Sequence, residues 1–373
     1  MARNGATSDG FFAKATRPGR THALRSAFHA AYSMRTTLAT FLVTSTVLAT
    51  AATAQTYTYT AETPALDRWN YPFNPTPGTR ITASTFGNAP GAPEFDNRDG
   101  QFIVGFNTSP SIPTGLGASS YLVTECTVSI TVANDFVAIY DPTVDPYTAF
   151  LPASDPSYIA DADPGQPIEL FGTGYRNGLT LASWTETTPY TTGSQSVLSP
   201  QVRSAYAVGG DSIGVLVDVS NSVRERWTPT PFAVGIVDGL KPGSLLAEGT
   251  TMRFALDLES PAVQQFLSAG LHAGRLRFSI TSLTTVTQGT GPFPAFYTKE
   301  NPIVSATGIG DATITITAEA ASCAPADLNC DRVVNAADLS LLLGSWGIPG
   351  PADLNGDGLV NAADLSILLG SWN

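Results

Sequence analysis

Histidine is nearly missing from this chain. Of three, two fall in the first 54 residues, which leaves His272 alone in the remainder. A Ser-His-Asp or Cys-His catalytic site would have to use His272. It lies inside a predicted helix, where a surface or helix-end histidine is the simpler reading. Cysteine is equally sparse. Cys126, Cys323 and Cys330 show no zinc-type spacing. Cys323 and Cys330 lie close enough in sequence for a local disulfide clip, which an exported chain can keep. Cys126 sits in the strand-like run "YLVTECTVSITV" and reads as a buried free thiol. Charged residues make up only 13% of the chain, and no basic stripe is present. That excludes the usual electrostatic footprint of a nucleic-acid binder. No apolar run reaches the ~20 residues that a membrane-spanning helix needs.

The first 54 residues differ from the rest. They carry Arg3, Lys14, Arg17, Arg20, Arg25 and Arg35 against the single acid Asp9. From Met34 the text is "MRTTLATFLVTSTVLATAATAQ": a positive start, an apolar run from Leu38 to Ala51, then small residues. This is the pattern of a secretory signal peptide. It places initiation at Met34 and cleavage after Ala54, with Gln55 as the mature N-terminus. Export to the exterior or the cell surface follows. The mature chain then has 13 basic and 30 acidic residues, a charge of −17. Such a surface repels nucleic acid and anionic lipid and suits divalent cations.

Glycine (34) and proline (27) are plentiful, which favours strands and turns over helical bundles. Between residues 55 and 320 short strand-like runs recur, among them "GQFIVGFNTS", "IELFGTGY", "MRFALDLES", "RLRFSITSLTT" and "ATITITAEA". They predict one mostly β domain, an antiparallel β-sandwich. "SPAVQQFLSAGLHAG" predicts the one helix of this region. Ser260 stands at its cap, Pro261 in its first turn, and Gly270 or Gly274 at its end. The stretches "GQFIVGFNTSPSIPTGLGASSYLVTECTVSITV", "LDLESPAVQQFLSAGLHAGRLRFSITS" and "FPAFYTKENP" resemble, in order and spacing, the DNRLRE-type β-sandwich domains of secreted bacterial proteins. The resemblance implies a jelly-roll fold and contact with glycan. Trp69, Tyr71, Phe73, Tyr140, Tyr147 and Tyr158 are the aromatics that would either stack on sugar rings or pack in the interior.

Residues 321–373 read differently. Two twelve-residue loops align at a period of 26. The first places Asp327, Asn329, Asp331, Val333, Asn335 and Asp338 at positions one, three, five, seven, nine and twelve. The second places Asp353, Asn355, Asp357, Leu359, Asn361 and Asp364 at the same positions. Each loop offers three carboxylates, two side-chain amides and a backbone carbonyl. That is the hard-oxygen set a Ca²⁺ ion takes in groups of ~6–8. The second loop has Gly356 and Gly358, whereas the first has Cys330 and Arg332 at those places. A tight turn favours glycine, so the second site is expected to bind more tightly.

After each loop an apolar stripe recurs, Leu339, Leu342, Leu343 and Trp346, then Leu365, Leu368, Leu369 and Trp372. Two short helices are expected to pack these stripes together, leaving Leu341 and Ile367 exposed. Loop, helix and duplication resemble type I dockerins, which bind cohesin domains and attach polysaccharide-degrading enzymes to scaffolds. The resemblance implies a small α-helical calcium domain and a cohesin-like partner. Positions ten and eleven, often Ser-Thr in cellulosomal dockerins, are Ala336-Ala337 and Ala362-Ala363 here, and the usual basic helix residues are missing.

Two functions fit these observations. The first is a secreted, non-catalytic binding or surface protein with a docking tail. The second is a tethered glycoside hydrolase, which needs only two carboxylates. Asp141, Asp145, Asp161, Asp163 and Glu169 are available, mostly in Asp-Pro turns where Asp serves the backbone. "FGTGYRNG" lacks the Lys and the following helix of a phosphate loop and reads as a hairpin turn.

Overall fold

The structure, a computed structural model, describes residues 54–88, 95–191, 202–286, 292–321, 324–331 and 333–372. The expected signal segment before Ala54 lies outside them, as do Cys323 and Arg332. The fold is mostly β. Its two large sheets are antiparallel, and one short pair, Thr285–Val286 with Gly87–Asn88, is parallel.

The first sheet has four strands in the order Gln55–Ala61, Thr313–Ala320, Tyr121–Thr131, Thr251–Ala255. Thr313–Ala320 shows strict alternation. Ile314, Ile316, Ala318 and Ala320 are buried while the residues between them face outward. This is the period of a half-buried strand. Gln55–Ala61 pairs with it along its full length, Gln55 opposite Ala320. Thr and Tyr alternate along it, the side-chain period of a strand.

The second sheet runs Leu66–Asn70, Gln101–Asn107, Arg275–Thr281, Glu169–Tyr175, Ala205–Gly210, Leu216–Asp218, with Ala233–Val234 also on Glu169–Tyr175. Gln101–Gly105 and Phe106 are buried on both faces. One face (Phe102, Val104, Phe106) joins the main core, and Ile103 on the other packs with Leu66, Trp184 and Ala205. Covered on both sides, the strand reads as an apolar run instead of alternating. Part of that outer cover is the excursion after Tyr175. "FGTGYRNG" does turn, with Asn177 and Gly178 at positive φ, but the returning strand begins only at Ala205. The expected hairpin turn therefore opens a long hairpin, whose loop buries Trp184.

The main core takes Val128, Ile130, Met252, Phe254, Ile314 and Ile316 from the first sheet and Phe102, Val104, Leu170 and Phe278 from the second. Helix α1 (Pro261–His272) closes it with Val263, Leu267 and Leu271. Pro261 sits in the first turn, and Gly274 follows the end at φ 72, as expected. Ser260 holds the cap position, but its side chain makes no capping bond. Gly270 does not end the helix. A Cβ there would lie 2.3 Å from Leu276 Cδ2, so it permits the close approach of α1 to the Arg275–Thr281 strand. Cys126 is buried and free. Among the described residues no helix is long and apolar enough to cross a membrane.

Among the described residues three further helices follow: α2 (Pro302–Thr307), α3 (Ala336–Gly344) and α4 (Ala362–Gly370). The last two share a small core of Ala326, Val334, Leu342, Ala352, Val360 and Leu368, with Leu339 and Leu365 packed against it. The expected stripe is only half right. Leu343 (51% exposed), Trp346 (46%), Leu369 (52%) and Trp372 (44%) face outward. The helices end at Gly344 and Gly370, so the tryptophans lie past the last turn, where helical spacing no longer applies. Leu341 and Ile367 are exposed as expected.

Candidate metal centre

Each loop of the tail wraps its main chain around its own acids. In the first, Asp331 N–H donates to Asp327 Oδ1 (3.0 Å) and to Asn329 Oδ1 (3.0 Å), and Val333 N–H donates to Asp331 Oδ1 (2.9 Å). Asp338 reaches back from α3 and accepts from Asn329 N (3.1 Å) and Asn335 N (2.9 Å). The second loop repeats the plan. Asp364 accepts from Leu354 N (2.7 Å), Asn355 N (3.0 Å) and Asn361 N (2.7 Å), and Asp357 N–H bonds Asp353 Oδ1 and Asn355 Oδ1.

Positions nine and twelve therefore have a structural duty. Asn335 and Asn361 are the N-caps of α3 and α4, accepting from Ala337 N (2.7 Å) and Ala363 N (2.8 Å). Asp338 and Asp364 complete the capping boxes. Both aspartates are fully buried. Burial alone would raise the Asp364 carboxyl, but the N–H groups of Asn361, Asn355 and Leu354 outweigh it and hold it below the ordinary value. The amides of Asn355 and Asn361, with Leu359 N–H, likewise lower Asp357. Both groups are thus anions at neutral pH, the state a cation requires.

The two loops differ in how far they gather their acids. Oxygens of Asp327, Asp331 and Asp338 lie within 4.8 Å of one another. In the second loop Asp353 is drawn to the main chain, accepting from Gly356 N (2.8 Å) and Gly358 N (2.7 Å). That triple does not close to the same limit. The carbonyls of Val333 and Leu359, at position seven, face the amides of Asn335 (3.4 Å) and Asn361 (3.0 Å). Gly356 and Gly358 have φ 74 and 100, and Cys330 matches Gly356 at φ 60. The glycine requirement is therefore visible at position four of both loops, and a side chain bears it in the first. Cys330 is disulfide-bonded. Its loop also touches the β domain, where the Ser119 hydroxyl donates to the carbonyls of Cys330 and Asn329 (3.2 Å). An all-oxygen donor set with three converging carboxylates fits a hard cation.

The acids read from the middle of the chain fall into separate groups. Glu169 is buried in a paired arrangement with Arg98, Nε to Oε2 at 2.8 Å and Nη2 to Oε1 at 3.0 Å. Asp141, Asp145, Asp161 and Asp163 form a cluster of their own. Another cluster, Asp67, Glu186 and Glu300, encloses the Lys299 ammonium, so it is charge-paired. Sequence reading missed it because its members lie far apart in the chain. It also missed a groove of about 430 Å³ lined by Asp211, Asp218, Glu225 and Trp227. Of the aromatics expected either to stack on sugar rings or to pack in the interior, Tyr71 and Tyr140 are buried, and Trp69 stacks on Tyr71 at 4.7 Å. Phe73 and Tyr158 remain exposed.

No family model, curated protein or solved structure matches this chain.

Proposed function

We propose that this is a secreted, non-catalytic binding or surface protein whose tail is a dockerin-like pair of calcium loops. The observation that carries the reading is the duplicated loop itself. In both copies an Asp at position twelve is buried beneath the loop, and in the first copy three carboxylates converge within 4.8 Å. The ordinary reason for such a loop is a calcium ion that repays the cost of crowding anions. The tail core is only six small or medium side chains, too few to fold ~50 residues unaided. Calcium is abundant outside cells, which agrees with export. The residue after the expected cleavage, Gln55, is also the first of the strand paired to Thr313–Ala320.

The β region is read as a jelly-roll-like sandwich, its two sheets contributing to one core. Leu341, Leu343, Trp346, Leu369 and Trp372 give the tail an exposed apolar surface, which supports docking to a cohesin-like or other surface protein. A polysaccharide-associated setting follows from the resemblance of the tail. The hydrolase reading draws on the groove. Its carboxylates are already engaged: Asp218 with Arg176, Asp211 with the N–H groups of Ile213 and Val215, and Glu225 with Trp227 Nε1 (3.1 Å).

Calcium titration of the full chain against Asp338→Ala/Asp364→Ala tests the tail. The double variant is expected to lose two equivalents of Ca²⁺. Unchanged stoichiometry would remove the reading. Incubation of the full chain with common polysaccharides is expected to release no reducing ends. Release abolished by Glu225→Gln would establish the hydrolase instead.

A further inference from the structure

The loop 141–167 joins two well-anchored points. At its start Tyr140 N–H donates to Ser244 O (2.7 Å), Gly243 N–H donates to Tyr140 O (2.8 Å), and the Tyr140 hydroxyl accepts from Val237 N (3.1 Å). Beyond its end Gly235 N–H donates to Ile168 O (2.9 Å). Between them the chain has a single 3-10 turn, Tyr147–Phe150. Midway, Leu151 packs with Val223 and Leu283, Asp155 pairs with Arg226, and Tyr147 N–H donates to Thr228 Oγ1 (2.9 Å), so the middle of the loop is held and its neck is what remains to be closed.

What meets at its neck is four aspartates. One carboxylate oxygen from each of Asp141, Asp145, Asp161 and Asp163 falls in a group no wider than 4.8 Å. Turn chemistry accounts for only part of this. Asp141 Oδ1 accepts from Thr143 N (2.8 Å) and Thr143 Oγ1 (2.6 Å), and Asp161 Oδ1 from Ala162 N (2.7 Å). Asp141 Oδ2 and Asp145 Oδ2 are buried with no hydrogen-bond partner, on side chains of residues only 3% and 7% exposed. Among the described residues no Lys or Arg pairs with any of the four. The contrast with Asp67, Glu186 and Glu300 is direct, since there a lysine occupies the centre.

The convergence is built into the backbone. Gly165 has φ +119, and a Cβ on it would lie 2.9 Å from Asp141 Cβ and 3.1 Å from Ile139 O. Only glycine brings the returning chain, with Asp161 and Asp163, so close to Asp141.

We propose that Asp141, Asp145, Asp161 and Asp163 form a divalent-cation site of the calcium class, separate from the tail, that closes the 141–167 loop. Buried, unpartnered carboxylate oxygens crowded by like charges need a positive partner. The donors are hard oxygens only, which excludes the soft and imidazole-preferring metals. Magnesium sites use one or two carboxylates and keep several waters, whereas calcium accepts many carboxylate oxygens at flexible geometry.

The test uses the full chain with the tail silenced by Asp338→Ala/Asp364→Ala, stripped with chelator and titrated calorimetrically with CaCl₂ or MgCl₂. One Ca²⁺ per chain is expected to remain, with Mg²⁺ binding more weakly. Adding Asp141→Asn/Asp145→Asn is expected to take that binding below detection. The exposed Asp163→Asn, a substitution the fold tolerates at its surface, is expected to weaken it if the buried pair compromises folding. In the unsubstituted chain, Ca²⁺ is expected to slow proteolysis within 141–167 and chelator to restore it. A folded, tail-silenced chain that binds no Ca²⁺, or binding unchanged by these Asn substitutions, overturns the proposal. Retention of all calcium by Asp338→Ala/Asp364→Ala would instead strike at the tail.

Discussion

Replacing Gly356 by alanine isolates one physical quantity in the second loop of the proposed calcium pair. Gly356 has φ 74, and a Cβ there would meet nothing within 4 Å. The substitution therefore introduces no clash. It charges the loop only with a side chain in the left-handed region, roughly 1–2 kcal/mol. On the proposed reading, a tail with so small a core binds its ion and folds in one process, so the cost is expected to appear in calcium affinity. The expected loss is roughly 5–30-fold. The assay is calorimetry on the full chain, with Asp364→Ala as the background lacking the second-loop signal. Gly350→Ala is the control, because its Cβ is also unopposed and its backbone is not left-handed. An affinity for Gly356→Ala within about twofold of the native chain, or an equal loss for Gly350→Ala, would refute the reasoning. The same logic ranks the loops. Cys330 bears at φ 60 what Gly356 avoids, so the first loop is expected to be the weaker by roughly fivefold or more.

Three other outcomes are expected. Glu169→Ala leaves the buried Arg98 guanidinium without its carboxylate, a loss of about 3–5 kcal/mol and a fall in Tm on the order of 10 °C; a change within the error of the melt would mean the pair is dispensable. Burial pushes Asp99 from 3.8 up to about 7 despite nearby Arg203. Its contribution to stability is full below about 4 and is lost as pH rises through about 7, so the Tm of the native chain relative to that of Asp99→Asn should fall over that window. A relative Tm that rises with pH would reverse the sign. Mass spectrometry of secreted protein should find an N-terminus near Gln55, and material retaining Met34 would contradict the signal reading.

Local pattern was legible wherever a single element carries its own signal. Alternation in "ATITITAEA" marked a strand, Pro261 and Gly274 bracketed α1, and the two loops declared themselves by repeated spacing. These are short-range properties set by backbone geometry and side-chain period. Tertiary structure decided the rest. Gln55–Ala61 is a strand because Thr313–Ala320, more than 250 residues on, offers an edge to pair with. Trp346 and Trp372 face outward because their helices stop two residues earlier. The Asp-Pro pairs of the 141–167 loop read as turns, and two of their aspartates do hold turns or lie in them. Only the path of the chain past Gly165 brings Asp161 and Asp163 onto Asp141 and Asp145. Spacing along a sequence specifies what one turn of backbone can present. Which distant carboxylates share a site depends on loop closure around a packed core, and no local period encodes that.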